Sequence, residues 1–218
     1  MPTVQFAATD GTTLGGRLTY PSAANGGVVV LCHPHPQHGG SMDSWMLPII
    51  QRALVADGWI GLRFDFRGVG GSGGTYGRGV DELHDVAGAV DFAIAQAPPD
   101  PALMLLGWSF GALMSLRHAT GDGRCRGWVG IGVPYRAREV EMPDLDVEAL
   151  SRWTVPKLFI HGDQDQFTPI ALLQEVVDAA AEPKRLYVIA GGDHYLAGRG
   201  DVLGNQAVEF GRDVLARR

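Results

Sequence analysis

The chain has 218 residues and a mass of 23.3 kDa, a size typical of one large domain and short of two. Its 45% hydrophobic and 19% charged residues exclude a natively disordered chain, and its net charge of −6, without a block of Lys or Arg, disfavours nucleic acid and anionic membranes as partners. The sequence has no apolar run near the ~20 residues of a membrane helix and begins without a signal-like segment. We therefore expect a single cytoplasmic domain over residues 1–218.

The start of the chain predicts an antiparallel hairpin. Apolar residues alternate with others from Val4 to Ala8, and the alternation resumes from Leu14 to Tyr20. Asp10-Gly11 supplies a turn between the two runs. Two strands are thus expected before the rest of the sheet.

Short β-rich runs then alternate with longer stretches of helical period, which is typical of parallel strands joined by crossover helices. Six of these runs are interpreted as buried strands, so the fold class is α/β with a mostly parallel, eight-stranded sheet. The predicted strands cover residues 28–32, 60–64, 102–106, 128–133, 157–161 and 185–190.

Apolar residues at helical spacing predict helices on both faces of this sheet. Thr168 and Pro169 are expected to be the N-cap and first position of one of them. The helical stretches lie within residues 46–54, 83–94, 112–119, 173–180 and 203–214.

The residues Gly107-Trp108-Ser109-Phe110-Gly111 follow a predicted strand and open a predicted helix. This context is the one that a G-x-S-x-G nucleophile elbow requires, in which the serine stands on a sharp turn and nearby side chains would collide. We interpret Ser109 as a nucleophile.

A serine hydroxyl is a poor nucleophile until a base removes its proton, and the base needs an acid to hold its tautomer. The loop after the seventh strand contains Asp163 and Asp165, and the loop after the eighth contains Asp193 and His194. Since the carboxyl ends of parallel strands meet at one edge of a sheet, His194 is the expected base. The acid stays open between Asp163 and Asp165, whereas Asp193 is disfavoured because sequence neighbours rarely face each other.

These features resemble the α/β-hydrolase superfamily over essentially the whole chain, and most closely its small, lidless members related to dienelactone hydrolases. Residues 33–42 are similar to the His-Pro-His-Pro loop of those members, and residues 65–72 to their D-x-R-G-x-G-x-S loop. The family pattern H-G-x-x-D-x-x-V/T-P matches residues 161–169 and implies Asp165 as the acid. Dienelactone hydrolases use a cysteine where this chain has Ser109, which argues against their lactone chemistry.

Acyl transfer also needs N–H donors aimed at the developing oxyanion, one of them normally from the residue after the nucleophile. That residue is Phe110. In the loop after Cys32, Pro34 and Pro36 have no N–H to donate, whereas His35 between them has one. We therefore predict an oxyanion hole formed by the backbone amides of His35 and Phe110.

Two other functions for these loops are disfavoured. His33, His35 and His38 could form a metal site, but a proline-stiffened loop does not bring them to one face and no acidic ligand is adjacent. Residues 68–73 spell G-x-G-x-x-G without opening a helix directly, so we interpret them as a bent connecting loop. No metal and no cofactor is predicted.

Three further side chains are interpreted as structural. Cys32 and Cys125 are too few and too far apart for a disulfide framework, and both are expected to be reduced thiols. Arg67 is expected to form a salt bridge that holds its own loop, with contact to an acidic substrate as the alternative.

The sequence thus predicts a carboxylesterase-like serine hydrolase of the α/β-hydrolase fold, acting on small esters or thioesters through an acyl-enzyme. Residues 134–154 are too few for a cap domain and are rich in charge, so most of them are expected to form a solvated helix and its turns. The candidate walls of the substrate pocket are Trp108, Tyr135 and Trp153.

Two alternatives stay open. A binding or scaffold protein could retain the fold without turnover, and a metal-dependent hydrolase could use the loop of His33, His35 and His38. The expected partner is a small-molecule ester, and the sequence is compatible with a homodimer.

Overall fold

A computed structural model describes residues 3–136 and 141–217 of the chain. Within these ranges the strands are β1 (Thr3–Ala7), β2 (Thr13–Thr19), β3 (Gly27–Cys32), β4 (Ile60–Phe64), β5 (Ala102–Trp108), β6 (Cys125–Ile131), β7 (Lys157–Gly162) and β8 (Lys184–Ile189). They form one eight-stranded sheet in the order β1-β2-β4-β3-β5-β6-β7-β8. The helices are α1 (Met46–Ala56), α2 (Glu82–Ala95), α3 (Phe110–Ala119), α4 (Val147–Arg152), α5 (Ile170–Ala179) and α6 (Gly200–Ala216), with a 3-10 turn at Pro36–His38.

The predicted N-terminal hairpin is confirmed. β1 pairs antiparallel with β2 in a register that places Phe6 opposite Leu14. The amide of Ala8 donates to the carbonyl of Thr12 at 2.8 Å, and Gly11 adopts a φ of 90°, which favours glycine. β2 is also antiparallel to β4, whereas all the later strand pairs are parallel.

Successive side chains of the buried strands point alternately into two hydrophobic cores, one on each face of the sheet. In β3, Val28 and Val30 belong to the core covered by α2, α3 and α5, whereas Val29 and Leu31 belong to the core beneath α1 and α6. All the residues of β3 are buried. Burial on both faces explains why this strand is apolar at every position but its first.

The parallel direction of β3 to β8 brings the carboxyl ends of six strands to one edge of the sheet. Loops that follow β3, β5, β6, β7 and β8 therefore meet there, and they carry the polar residues singled out from the sequence. This topology is the α/β-hydrolase fold that the resemblance implied, and the described residues include no cap domain.

One capping prediction is wrong. Helix α5 begins at Ile170, with Pro169 as its N-cap rather than its first residue, because the ψ of Pro169 is 138° and not helical. Thr168 does not cap the helix. Its hydroxyl instead accepts a hydrogen bond from the amide of Tyr135 at 3.2 Å, which links the loops after β6 and β7.

The segment at residues 134–154 contains only one short helix among its described residues, α4, which Asp146 caps by accepting from the amide of Ala149 at 2.8 Å. Arg138 and Glu139, which contribute to its predicted charge, lie outside the described residues. No helix in residues 3–136 or 141–217 combines the length and apolar character needed to cross a lipid bilayer.

Candidate active site

Ser109 stands on a tight turn between β5 and α3. Its φ of 53° and ψ of −119° are strained for a residue with a side chain, and its amide donates to the carbonyl of Ile131 at 2.8 Å. A Cβ atom on Gly107 would lie 2.2 Å from the carbonyl oxygen of Gly111, and one on Gly111 would lie 2.2 Å from that of Cys32. Both glycines are therefore required for the close packing of this turn, as the elbow pattern predicts.

A buried hydrogen bond joins His194 to Asp165. Nδ1 of His194 lies 2.7 Å from Oδ2 of Asp165, while Oδ1 accepts the amides of Phe167 at 2.8 Å and Thr168 at 3.0 Å. Burial by itself would raise the pKa of Asp165, but the hydrogen bond and charge of His194 outweigh it and hold that pKa below its ordinary value. The ionised carboxylate keeps the imidazole proton on Nδ1, so Nε2 is left to accept a proton.

The structure places the two other candidate acids away from the imidazole ring. Oδ1 of Asp163 accepts the amide of Gly191 at 2.7 Å and so joins the loops after β7 and β8. Oδ1 of Asp193 accepts the amides of Tyr195 at 3.0 Å and Leu196 at 2.8 Å. Both carboxylates thus shape the loops around His194 without contacting its side chain.

The loop after β6 places His194 beside the turn that holds Ser109. The amide of Ser109 is bonded to the last residue of β6, and the next residue, Gly132, lies against His194 so closely that a Cβ atom there would be 3.1 Å from Cε1. Nε1 of Trp108 donates to the carbonyl of His194 at 3.3 Å. The Ser109 hydroxyl makes no capping hydrogen bond to α3. The hydrogen bond between a nucleophile and its base often tightens only when substrate is bound.

The loop after β3 lies against the start of α3, where an oxyanion hole was predicted. As the first residue of α3, Phe110 has an amide that no carbonyl of its own helix can accept. The amide of His35 also makes no hydrogen bond with any described residue. The ring of His35 packs edge-on against the ring of Phe110, with centroids 5.1 Å apart, so the two predicted donors belong to segments in direct contact.

A chain of hydrogen bonds fixes the His35 side chain. Its Nδ1 accepts the amide of Gln37 at 3.3 Å, and its Nε2 donates to the hydroxyl of Tyr76 at 2.9 Å, which in turn donates to the carbonyl of Glu141. Burial lowers the pKa of His35 to about 4, so the ring is neutral and can accept at one nitrogen while donating at the other. The Tyr76 ring also packs near Phe110, with centroids 5.9 Å apart.

The side chain of His33 also holds the loop after β3 in place. Its Nδ1 donates to the carbonyl of Pro34 at 2.6 Å, and its Nε2 accepts the amide of Phe66 at 3.0 Å. Neither nitrogen is free to bind a metal ion. Within residues 3–136 and 141–217 no three His, Cys, Asp or Glu side chains are grouped as metal ligands.

The environment of His33 predicts a loss of stability in acid. Burial lowers its pKa to about 4 in the folded chain, below the ordinary value of 6.5. Because the folded pKa is the lower one, this contribution to stability is complete above pH 6.5 and is lost as the pH falls towards 4. The shift corresponds to about 3 kcal/mol of unfolding free energy, measurable by urea denaturation at several pH values. His33→Gln should be less stable at neutral pH and show a shallower pH slope; equal slopes would contradict the prediction.

Two of the three predicted pocket walls lie at the edge of the sheet that carries Ser109. The ring of Trp108 lies 6.3 Å from the ring of His194 and 6.4 Å from that of Tyr195. Tyr135 follows β6. Its amide donates to the hydroxyl of Thr168, and its carbonyl accepts a hydrogen bond from the amide of Leu145 at 3.2 Å.

The third predicted wall, Trp153, lies at the opposite edge of the sheet, and its assignment to the pocket is corrected. Its carbonyl accepts Nζ of Lys157 at 2.7 Å, and its ring is 5.3 Å from that nitrogen. Lys157 is the first residue of β7, whereas the active-site loop follows the last residue of that strand. The length of β7 therefore separates Trp153 from Asp165.

Sequence reasoning did not identify three side chains that contact the site. The rings of Phe167 and Tyr195 lie 4.7 and 5.8 Å from the ring of His194, and Oε1 of Gln166 accepts the amide of His194 at 3.3 Å. All three lie within two residues of Asp165 or His194. Proximity in sequence to the predicted acid and base was the available signal.

The remaining structural interpretations agree with the observed contacts. Nη2 of Arg67 donates to Asp85 at 2.7 Å and to Asp10 at 2.9 Å, and its Nε donates to Asp85 at 3.0 Å. Arg67 therefore holds its own loop in place. Cys32 and Cys125 are buried free thiols, and burial raises the pKa of both.

The chain is similar to known proteins over most of its length. A model of the alpha/beta hydrolase domain matches residues 11–207. A solved alpha-beta serine hydrolase homologue from Coxiella burnetii is 26% identical, with a TM-score of 0.84 and coverage of 95% of this chain and 96% of that one. A solved Xanthomonas campestris serine hydrolase without a lid is 24% identical, with a TM-score of 0.81 and coverage of 97% and 94%. An uncharacterised protein of Rickettsia prowazekii is 26% identical over 200 residues, which span 89% of this chain and 82% of the relative.

Proposed function

Because this chain belongs to the alpha/beta hydrolase family, we propose that it is a serine hydrolase that cleaves small esters or thioesters through an acyl-enzyme. The observation that carries the proposal is the 2.7 Å contact between His194 and Asp165 next to the strained turn of Ser109. This contact sets the tautomer in which the imidazole can act as a base. A binding or scaffold protein would not require it.

In the first half-reaction, the Ser109 hydroxyl attacks the substrate carbonyl while Nε2 of His194 takes its proton. The imidazolium that forms is stabilised by Asp165, and its proton then passes to the oxygen or sulfur of the leaving group as that bond breaks. In the second half-reaction, water attacks the acyl-enzyme, His194 takes a proton from the water, and Ser109 is regenerated when the proton returns to its oxygen.

The negative charge on the tetrahedral intermediate needs donors that do not reorganise. We assign this role to the amides of His35 and Phe110. The 3-10 turn at Pro36–His38, the His33 contacts and the Tyr76 bond to His35 all restrain the first donor. The second is at the amino end of α3, where the helix dipole favours negative charge.

An active-site-directed fluorophosphonate tests the proposal directly. The protein should be labelled at Ser109, the Ser109→Ala variant should remain unlabelled, and hydrolysis of p-nitrophenyl acetate should persist in EDTA. Failure of the folded protein to label would favour a binding or scaffold protein. Loss of hydrolysis in EDTA, restored by added zinc, would favour a metal-dependent hydrolase.

We expect short acyl groups to be preferred, without interfacial activation. No cap domain covers the described site. The residues next to it are held by hydrogen bonds from the amide of Leu145 to the carbonyl of Tyr135 and from the hydroxyl of Tyr76 to the carbonyl of Glu141. Each methylene adds at most about 0.8 kcal/mol, and only where an apolar groove receives it. On p-nitrophenyl esters, kcat/KM should be highest at about two to six acyl carbons. A maximum at about ten carbons, or a rise above the critical micelle concentration, would contradict an open site.

The proposal also includes a small-molecule substrate, no nucleic-acid or membrane partner, and a cytoplasmic location. The net charge of −6 and the two buried, unpaired cysteines support it. Size-exclusion chromatography with light scattering distinguishes a monomer from the homodimer that the sequence allows.

A further inference from the structure

Two exposed aromatic side chains contact the His194 imidazole. Phe167 is 59% exposed and Tyr195 is 49% exposed, and both meet the His194 ring edge-on, with interplanar angles of 74° and 87°. An exposed aromatic ring leaves a large apolar area in water, so a pair beside one polar group indicates a recognition surface.

Hydrogen bonds fix the backbone under both rings. The amide of Phe167 donates to Asp165 at 2.8 Å, and the amide of Tyr195 donates to Asp193 at 3.0 Å. The Tyr195 ring is further supported by the buried ring of Trp108, 6.4 Å away. The backbone that carries both rings is thus ordered before a ligand arrives, which lowers the entropy cost of binding.

The chemistry of the proposed reaction decides which part of the substrate meets this surface. When the bond between the acyl carbon and the leaving oxygen breaks, that oxygen takes its proton from His194, so the leaving group must lie beside the imidazole. The carbonyl oxygen of the acyl group points instead towards the amides of His35 and Phe110, which we assigned to the oxyanion hole. Rings that contact His194 are therefore placed to meet the leaving group.

We propose that Phe167 and Tyr195 form the binding site for the alcohol part of the substrate, and that this alcohol carries an aromatic ring. The inference rests on the proposed function. It identifies the substrate as an ester of a small acyl group with an aryl-bearing alcohol, so the leaving alcohol adds a second determinant of specificity to the preference for short acyl groups.

The test compares three esters on the wild type and on Phe167→Ala and Tyr195→Ala. 2-Phenylethyl acetate and ethyl acetate share an acyl group and have alkyl alcohols of similar leaving ability, and ethyl phenylacetate carries its ring on the acyl side. Each substitution should lower kcat/KM for 2-phenylethyl acetate by about two- to tenfold relative to the other two esters. Tyr20→Ala is the matched control, since Tyr20 is 50% exposed and lies just after β2 at the other edge of the sheet.

The rate of deacylation distinguishes two roles for Phe167 and Tyr195: contact with the substrate alcohol, or support of the His194 side chain. The alcohol has left before deacylation, so the rate of hydrolysis of the acetyl-enzyme, measured by stopped flow, should be the same in the wild type and both variants. Equal losses on all three esters together with slower deacylation would mean that the rings only position His194, and would overturn the inference.

Two other results would also overturn it: unchanged ester preference in both variants, or a loss confined to ethyl phenylacetate, which would place the rings on the acyl side. Failure of the wild type to react with fluorophosphonate would refute the proposed function itself and, with it, this inference. If Ser109 is labelled but any of the three contradicting kinetic results is obtained, the proposed function stands and only the binding site for an aromatic alcohol is refuted.

Discussion

Ser109→Ala and His194→Ala should each lower kcat on p-nitrophenyl acetate by on the order of 10⁶, because the proposed nucleophile and base would act as a unit. Without the hydroxyl no acyl-enzyme forms, and without the imidazole the hydroxyl keeps its proton. The residual rate should be what binding and the oxyanion hole provide. Steady-state kinetics measure the loss, and thermal unfolding of each variant verifies that the fold is retained.

The double variant provides the sharper test of this pairing. Once either side chain is absent, removing the other should cost little more, so the double loss should be close to each single loss. Ser151→Ala and His84→Ala change exposed residues of α4 and α2 and serve as controls that keep normal activity. A double variant that loses the product of the two single losses would show that the residues act independently.

The sequence predicted the features of the site that depend on strand order and local turns. Glycines on either side of Ser109 indicated a turn that no larger residue fits, and the structure has the corresponding 2.2 Å approaches. The positions of Asp165 and His194 after two successive parallel strands predicted that they would converge, since parallel strands end at one edge. The expectation that both strands are buried holds for β7 but not for β8, in which only Ile189 is buried. Their 2.7 Å contact follows from that topology.

The assignment of Trp153 shows where distance along the chain misleads. Tyr135 follows β6 and therefore lies at the carboxyl edge of the sheet, whereas Trp153 precedes β7 and lies at the amino edge. Both flank the same segment in sequence, but the chain crosses from one edge to the other between them. A residue before a parallel strand belongs to the edge opposite the active site, and that rule was available from the sequence.

The contacts of Tyr76 were beyond prediction for a different reason. Tyr76 lies in a glycine-rich loop without hydrophobic period, and its partners His35 and Glu141 are 41 and 65 residues away in sequence. Such contacts depend on how three loops pack together, which neither local propensity nor strand order determines. Phe167 and Tyr195 differ in this respect, because their positions beside Asp165 and His194 were visible in the sequence.

Asp165→Asn should lower kcat by on the order of 10⁴ while leaving the fold intact. The asparagine oxygen can still accept the amides of Phe167 and Thr168, which Oδ1 now accepts at 2.8 and 3.0 Å. Its NH2 group would then occupy the position of Oδ2 and donate to Nδ1 of His194. The imidazole proton would move to Nε2, so the ring could no longer take a proton from Ser109.

Asp163→Asn is the matched control, since it is the same substitution two residues away in the same loop. Oδ1 of Asp163 accepts only the amide of Gly191 among the described residues, at 2.7 Å, and an asparagine oxygen can replace it. Its loss in kcat should remain below about tenfold, because the tautomer of His194 is unaffected. If Asp163→Asn were instead the more damaging change, with both variants folded by circular dichroism, the 2.7 Å contact of Asp165 with His194 would not be the one that orients the base.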